Sequence, residues 1–355
     1  MQVAIIGAGV SGLSCAHELK KHGIIPVIFE RKSFIGEVLD YQNIILNMFN
    51  IHTLADPIKY LEKNYSIKLT PQYHLREIEI NSPCRTHKIN TKGGYILKRG
   101  SAPDSLENQI AGKVSLPIEY DNYIELKQIL NNFDRIVVAT GTGQFANQMN
   151  IFTPTFNAYV RVAIIVGDFN TGMVRLWFNA KYFKKGFAYI VPYSPREARI
   201  VSVVNDIASG ELEYYWKEFL SGEHLNYAIT QTIDIEHSVG FVNPVQVDNI
   251  YFVGNAGGFI DDLFGFGSLR AVISGVSAAR AIVYNKSYDD MMKPFMQDIR
   301  DKHEFRKAFD TLDNDGLDII TDMVNLPLLK QFIYKFPLFK VQHYTFIAKA
   351  LNFLK

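Results

Sequence analysis

Gly7, Gly9 and Gly12 fall in the spacing Gly-x-Gly-x-x-Gly, and Glu30 follows 18 residues after the last of them. Glycines so placed let a chain turn tightly, bring its backbone against a pyrophosphate, and pack a helix close on a strand. Ser11 lies inside the same run, where its backbone N–H and hydroxyl can meet a phosphate. A carboxylate at Glu30 can accept hydrogen bonds from ribose hydroxyls. The chemistry these residues suit is the holding of a dinucleotide. Arg31 could meet a 2′-phosphate, but the acid beside it opposes that, and a solvated arginine serves as well.

The elements that must position these residues are legible around them. Residues 2–6 read as a short buried strand, and Leu13 to His22 as a helix with Leu13, Ala16 and Leu19 on its inner face. Gly23 ends that helix, and Ile24 to Phe29 reads as a second strand finishing at Glu30. The helix N-terminus would turn free N–H groups and a positive dipole end toward the phosphates. The fingerprint by itself suits NAD and FAD alike. Its place at the N-terminus, with no second copy, points to FAD as the resident cofactor, so the reductant is NAD(P)H bound transiently or an external electron carrier.

Two later segments return to this site. Phe133 to Thr142 reads as a buried strand ending in a small-residue turn, where Thr140 and Gly141 let the backbone come close to a cofactor. Asn249 to Ile282 reads as a strand over Ile250–Val253, a glycine-rich turn, and a helix from about Gly267. Six glycines fall between Gly254 and Gly275. Gly265, Gly267 and Ser268 open the helix, and Ala271, Ser274, Gly275, Ala278 and Ala279 give it a small-residue face for packing on the first helix.

The second segment resembles the strand–GDAAG–loop–GxGI–helix motif of the flavoproteins with the para-hydroxybenzoate hydroxylase fold, a group that includes the geranylgeranyl reductases. Gly254, Ala256, Gly258, Gly265 and Gly267 match, as does the run Ser274 to Ala279, and Gly257 stands for an alanine. The family's aspartate on the flavin ribityl chain is Asn255 here; an amide can still bond a hydroxyl, with a different local charge. Gly186 to Pro192, GFAYIVP, resembles the GYGWxFP signature of the reductase branch, and Phe187 and Tyr189 alternate so that both rings face one side. Gly94 to Ile110 resembles the family's strand and following helix, which implies Arg99 near the cofactor with Asp104 and Ser105 capping the helix. These matches cover about a third of the chain. The segment after Glu30 is reduced to Lys32–Gly36, a departure from the family pattern.

The resemblance implies an α/β fold: a Rossmann-type FAD-binding domain (1–45, 95–150 and 240–288), an inserted antiparallel-sheet substrate domain (46–94 and 151–239), and a C-terminal helical region (289–355). It also implies reduction of alkene bonds in an apolar, prenyl-type substrate by hydride transfer through the flavin, with Phe187 and Tyr189 at the substrate and Tyr189 as proton donor or orienting group. A flavin monooxygenase or halogenase on an aromatic substrate shares the fold, but the lysine and WxWxIP motif of a halogenase are not evident. A flavoprotein that has lost turnover is the third reading, kept open by Asn255 and the short segment after Glu30.

Composition bounds these readings. Hydrophobic residues make up 48%, charged residues 21% and aromatics 13%, and the net charge of +1 gives no field for nucleic acid. The aromatic share fits either an apolar cavity or a phenylalanine-rich core. Cys15 and Cys84, with no CxxC, leave no disulfide framework and no thiolate metal cluster, and the nine histidines lack ligand spacing. No secretory leader and no span-length apolar run are expected, which suits a cytoplasmic protein. Residues 326–355 carry five lysines, seven aromatics and no acid, so they could lie on anionic lipid as a basic amphipathic surface or cap the substrate domain.

Overall fold

The computed structural model describes residues 1–37, 40–46 and 56–326. The first half of the described chain runs β1 (Val3–Ile6), α1 (Val10–Lys21), β2 (Val27–Phe29), β3 (Tyr41–Leu46), α2 (Pro57–Tyr65), β4 (Tyr73–Asn81), β5 (Thr86–Arg99), α3 (Leu106–Val114), β6 (Ile118–Glu119), α4 (Leu126–Ile129), β7 (Arg135–Val138) and α5 (Gln144–Gln148). It continues β8 (Phe152–Val166), β9 (Met173–Trp177), α6 (Ala180–Phe183), β10 (Phe187–Pro192), β11 (Glu197–Asn205), α7 (Leu212–Gly222), β12 (Ala228–Val242), β13 (Gln246–Val247), β14 (Ile250–Phe252), α8 (Ser268–Tyr284), α9 (Tyr288–Phe309) and α10 (Asn314–Asn325).

Among the described residues the strands form two sheets. One has the order β13-β14-β7-β1-β2-β6, parallel except for the β13–β14 pair. Its central strand β1 is fully buried, because helices cover both faces of a parallel sheet. The other has the order β12-β8-β11-β10-β9-β4-β5-β3 and is antiparallel except where β4 meets β9. The architecture is thus α/β, a Rossmann-like dinucleotide-binding unit with a large second sheet and C-terminal helices.

Several boundaries differ from those read in the sequence. The first helix starts at Val10 rather than Leu13, because Gly9 already serves as its N-cap and Leu13 N–H donates to Gly9 O at 2.9 Å. The second strand starts at Val27 rather than Ile24, because Gly23 and Ile24 spend their N–H groups on the carbonyls of Lys20 and Leu19, closing the helix end. The strand read over Phe133–Thr142 is confined to Arg135–Val138. The eight-stranded sheet also takes in Tyr41–Ile45 and Tyr95–Arg99, since β3 pairs with the end of β5 from Tyr41↔Arg99 to Leu46↔Gly94. Asp104 does not cap α3: both its carboxylate oxygens accept from Lys98 Nζ at 2.8 Å, and Ser105 alone caps, its Oγ accepting from Asn108 N–H.

Helix α1 packs on α8 so closely that a Cβ added at Gly275 would lie 2.1 Å from the Ser11 carbonyl oxygen. A buried ionic group ties α8 to α9 and to the loop before α8. Arg270 pairs with Asp261 at 3.1 Å and with Asp298 at 2.6 Å, and Lys302 reaches the same Asp298 oxygen at 3.0 Å. Such a group stabilises little in itself, but removing one member leaves a buried charge uncompensated. The stretch 327–355, read in the sequence as a lipid-facing surface or a cap, lies outside the described residues. Among the described residues no helix is long and apolar enough to cross a membrane.

Candidate functional site

One cavity of about 900 Å³ runs from the first glycine turn to the underside of the eight-stranded sheet. That volume is in the range that holds a drug-sized or cofactor-sized ligand, roughly 300–1,000 Å³. Two helix N-termini open into it. Helix α1 has Gly9 as N-cap with no side-chain cap bond, so the N–H groups of its first turn lack partners within the helix. Gly9, Val10 and Ser11 line the cavity there, and a Cβ at Gly9 would meet nothing within 4 Å. Helix α8 is built alike, with uncapped Gly267 at its start and Gly265, Gly267 and Ser268 on the cavity wall. Each end offers bare donors and a positive dipole to an anionic or carbonyl-bearing ligand.

Gly7, which also lines the cavity, and Gly12 and Gly254 serve close packing. Gly7 holds a positive φ of 108°, and a Cβ there would lie 2.4 Å from the Ala139 carbonyl oxygen. A Cβ at Gly12 would lie 2.1 Å from the Gly7 carbonyl oxygen, and one at Gly254 would lie 2.6 Å from Ser11 Oγ. Gly12 and Gly254 are absent from the lining; they let α1, the turn and the last strand close up around it.

Glu30 ends β2 at the cavity and organises the glycine turn. Its carboxylate accepts from Ala8 N–H at 2.8 Å and from Lys32 N–H at 3.0 Å, leaving lone pairs for further donors. Arg31 beside it is exposed at the rim, and Thr140 and Gly141 form the wall after β7. Near the start of α8, Asn255 lines the cavity and Arg99 bridges two elements, donating to Glu107 and, at 3.1 Å, to Ser268 Oγ. The Arg99 guanidinium also lies 5.5 Å from the centre of the Tyr41 ring.

The far half of the cavity is apolar. Phe187 and Tyr189 of β10 stack with centroids 6.2 Å apart, and Val203 and Val201 are their β11 partners. Val160, Val162, Leu176 and Ile78 extend this face, and Leu317, Ile320 and Val324 of α10 close it opposite. Desolvation, with a smaller effect of Tyr41, pushes the Tyr189 phenol far above its ordinary value, so its hydroxyl stays protonated and can donate or orient but not act as a base. His237 lies on the wall at β12, and burial lowers its pKa, which keeps it neutral at pH 7.

Sequence reading missed three wall residues that carry unmet polar groups. Gln42 is 3% exposed and neither its amide nitrogen nor its oxygen has a partner, and Asn43 Oδ1 is likewise unpaired. Both lie on β3 and line the cavity, in a stretch whose sequence gives no motif. The third is Asp262, buried in the loop between β14 and α8, with Oδ1 unpaired. The pair Asp261-Asp262 inside a glycine-rich loop is the one signal that could have marked it. Buried amides without partners cost free energy unless a ligand supplies the bonds. Together with the open space at Gly9 and Gly265 they fit a flavin dinucleotide, which carries a diphosphate, ribityl hydroxyls and ring amides.

Comparison with known proteins bears on the fold. Residues 5–50 match the NAD(P)-binding Rossmann-like domain family. A curated relative, the lysine-specific histone demethylase 1B homolog of Caenorhabditis elegans, is 25% identical over 166 residues, 44% of this chain; the chain spans about a fifth of that relative's length, 20%. Among solved structures, a geranylgeranyl bacteriochlorophyll reductase-like protein from Thermoplasma acidophilum aligns with a TM-score of 0.75 at 15% identity over 98% of both chains. The flavin-dependent brominase Bmp2 aligns over 100% of both chains with a TM-score of 0.64, also at 15% identity. The flavin-dependent halogenase CmlS gives 0.65 at 15% identity, over 99% of this chain and 76% of its own. The chain therefore has the fold of the flavin-dependent oxidoreductases, the geranylgeranyl reductase-like protein and the halogenases included.

Proposed function

We propose that this chain binds FAD and reduces an alkene bond of an apolar, prenyl-type substrate. The observation that carries the reading is one continuous cavity, which joins two bare helix N-termini at one end to an aromatic and aliphatic chamber at the other. Gly9, Ser11 and the start of α1 would hold the diphosphate, Glu30 the adenosine ribose, and Asn255 the ribityl chain. Gly265, Gly267 and Ser268, with Gln42 and Asn43 across from them, would meet the flavin ring system. A bound flavin supplies hydride chemistry, which no side chain can.

The protein's own part is to position and to exclude water. Phe187 and the valine face give the substrate an apolar bed, and α10 shuts the chamber on the opposite side. Tyr189, protonated at neutral pH, orients the substrate chain from within this bed. The reductant is a nicotinamide cofactor bound in passing or an external carrier, and residues 326–355 could bring the cavity to a lipid surface. Liposome co-sedimentation with and without 326–355 tests the last point, and equal partition would end it.

The decisive experiment uses the purified chain. A yellow protein that releases FAD on denaturation and, once reduced without oxygen, transfers two hydrogens to a C20 polyprenyl alcohol is the expected result. A colourless protein that takes up no added FAD would sink the reading. Consumption of oxygen with hydroxylation or halogenation of an aromatic compound would replace it by the oxygen-dependent chemistry that the same fold allows.

A further inference from the structure

The eight-stranded sheet turns one face to α7 and the other to the apolar chamber, and its edge strand β12 shows which residues go where. From Ile233 to Val239 the pairing of β12 with β8 is regular, so alternate residues share a face. Asp234 accepts from Arg161 and Glu236 accepts from the Tyr159 hydroxyl, on the side that packs against α7. Ile233, Ile235, His237 and Val239 therefore face the chamber, and all four line it. Their β8 partners Val162, Val160, Ala158 and Phe156 belong to the same apolar cluster as Phe187 and Tyr189.

The chamber is open along this edge. Ile235 lines it and is still 46% exposed, and Ile233 is partly exposed beside it. Further along the strand the gap is shut: Phe241 meets the His303 ring of α9 at 5.2 Å, and Phe156 meets the Arg306 guanidinium at 4.3 Å. His237 stands between the open and the closed stretch. It is partly exposed, and its ring nitrogens, which no described residue bonds, are not sealed from water. Opposite it, Ala158 takes up little space beside the imidazole.

Charge narrows what can sit there. Among the described residues the cationic side chains on the cavity wall are Arg31, Lys32, Arg99 and Arg199, and none stands on β8, β10, β12, α9 or α10. Lys32 is engaged by Glu37 and the Gly36 carbonyl, Arg99 by Glu107, and Arg199 by Glu197 and the Asp40 carbonyl. A diphosphate placed in the chamber would have its charge uncompensated, at a large desolvation cost. Burial keeps His237 neutral, so its ring offers one N–H donor and one bare nitrogen. A hydroxyl, which can donate or accept, suits either atom.

We propose, on the alkene-reduction reading above, that His237 is the specificity-determining residue at the chamber mouth: it hydrogen-bonds the terminal hydroxyl of a prenyl alcohol, and the chamber refuses the corresponding diphosphate. The apolar chain enters over Ile233 and Ile235, and the hydroxyl stops at the imidazole.

The test uses the full chain loaded with FAD, reduced by dithionite and mixed anaerobically with each of three C20 compounds: the polyprenyl alcohol, its diphosphate, and the hydrocarbon that lacks the hydroxyl. Flavin reoxidation, followed by absorbance, gives kcat/KM for each. The alcohol is expected to exceed the diphosphate by about tenfold or more. H237F is expected to lower kcat/KM for the alcohol about tenfold, chiefly through KM, as the loss of one substrate hydrogen bond would, and to leave the hydrocarbon within about twofold. H237Q keeps a donor and an acceptor and should restore most of the loss. A diphosphate used as well as the alcohol, or an H237F effect of equal size on alcohol and hydrocarbon, would overturn the assignment. Binding without turnover is read from the ring-proton NMR resonance of His237, identified by its absence in H237Q. It should shift when the alcohol is added to the oxidised protein; a resonance that stays in place would also overturn the site. A shifted resonance with none of the three compounds reoxidising the flavin would end the alkene reading and leave the hydroxyl site standing.

Discussion

Gly12 sits inside a helix, where glycine costs roughly 1 kcal/mol against alanine, and it is there because nothing larger fits. Its missing Cβ would stand 2.1 Å from the Gly7 carbonyl oxygen, in the glycine turn that borders the cavity. G12A is therefore expected to push α1 off that turn, with a loss of FAD affinity larger than the loss of thermal stability, measured by equilibrium dialysis and calorimetry on the same preparation. At the other end of the cavity, Y189F removes a hydroxyl and leaves the ring stack with Phe187. If the phenol orients the substrate, the variant keeps its FAD and its fold but loses turnover by about tenfold or more, as a lost hydrogen bond worth ~1.4 kcal/mol in the transition state would give. Unchanged turnover would remove Tyr189 from the mechanism.

Among the elements, those read correctly from sequence are those specified locally. The strand–glycine–helix order at the N-terminus and the small-residue face of α8 are short-range patterns, and the helix and strand periods announce them. Strand β3 was missed as part of the eight-stranded sheet because its partner, the end of β5, lies about 50 residues away and nothing in YQNIIL points to it. Gln42 and Asn43 went unseen with it. Asp104 was misread because capping propensity is local, whereas Lys98, which captured its carboxylate, is set by the strand that precedes. Helix α10 is another long-range case. Its Asp318 accepts from Ser82 and Cys84, and its Asp322 from Arg85 and His87, all on the β4–β5 hairpin. Hydrogen bonds from His87 and then Arg85 hold the Asp322 carboxyl below its ordinary value of 3.8. A carboxyl lowered in the folded state contributes stability above its unfolded value, and that contribution is lost as pH falls through the folded one. Below about pH 4, α10 should loosen before the rest of the chain, seen as faster backbone hydrogen exchange in 314–325 than in α8. Protection of α10 that is unchanged down to global unfolding would contradict this.

For the whole molecule, the cavity is a burial problem that a ligand resolves. Bare helix ends and unpaired amides are carried in the unliganded fold, so binding of FAD should stabilise by mass action, about 2.7 kcal/mol at a hundredfold excess over Kd. The expected observation is a rise of a few degrees in Tm on adding FAD, absent with flavin mononucleotide if the adenosine half at Glu30 matters. Equal shifts with both would place the binding on the flavin half alone.

The close seat of Gly275 on the Ser11 backbone has a consequence for how the molecule comes into being. Helix α1 ends at Lys21, and the helix that covers its other side is finished only at Tyr284. At roughly 5–20 residues per second, a ribosome needs on the order of 13–50 s to make the intervening 263 residues. For the first part of that interval β1 also lacks its neighbour β7, and for most of it the sheet lacks β14, the strand next to β7. The nascent glycine turn therefore waits without its packing partner until α8 has been made, and the cavity it borders can close only after that.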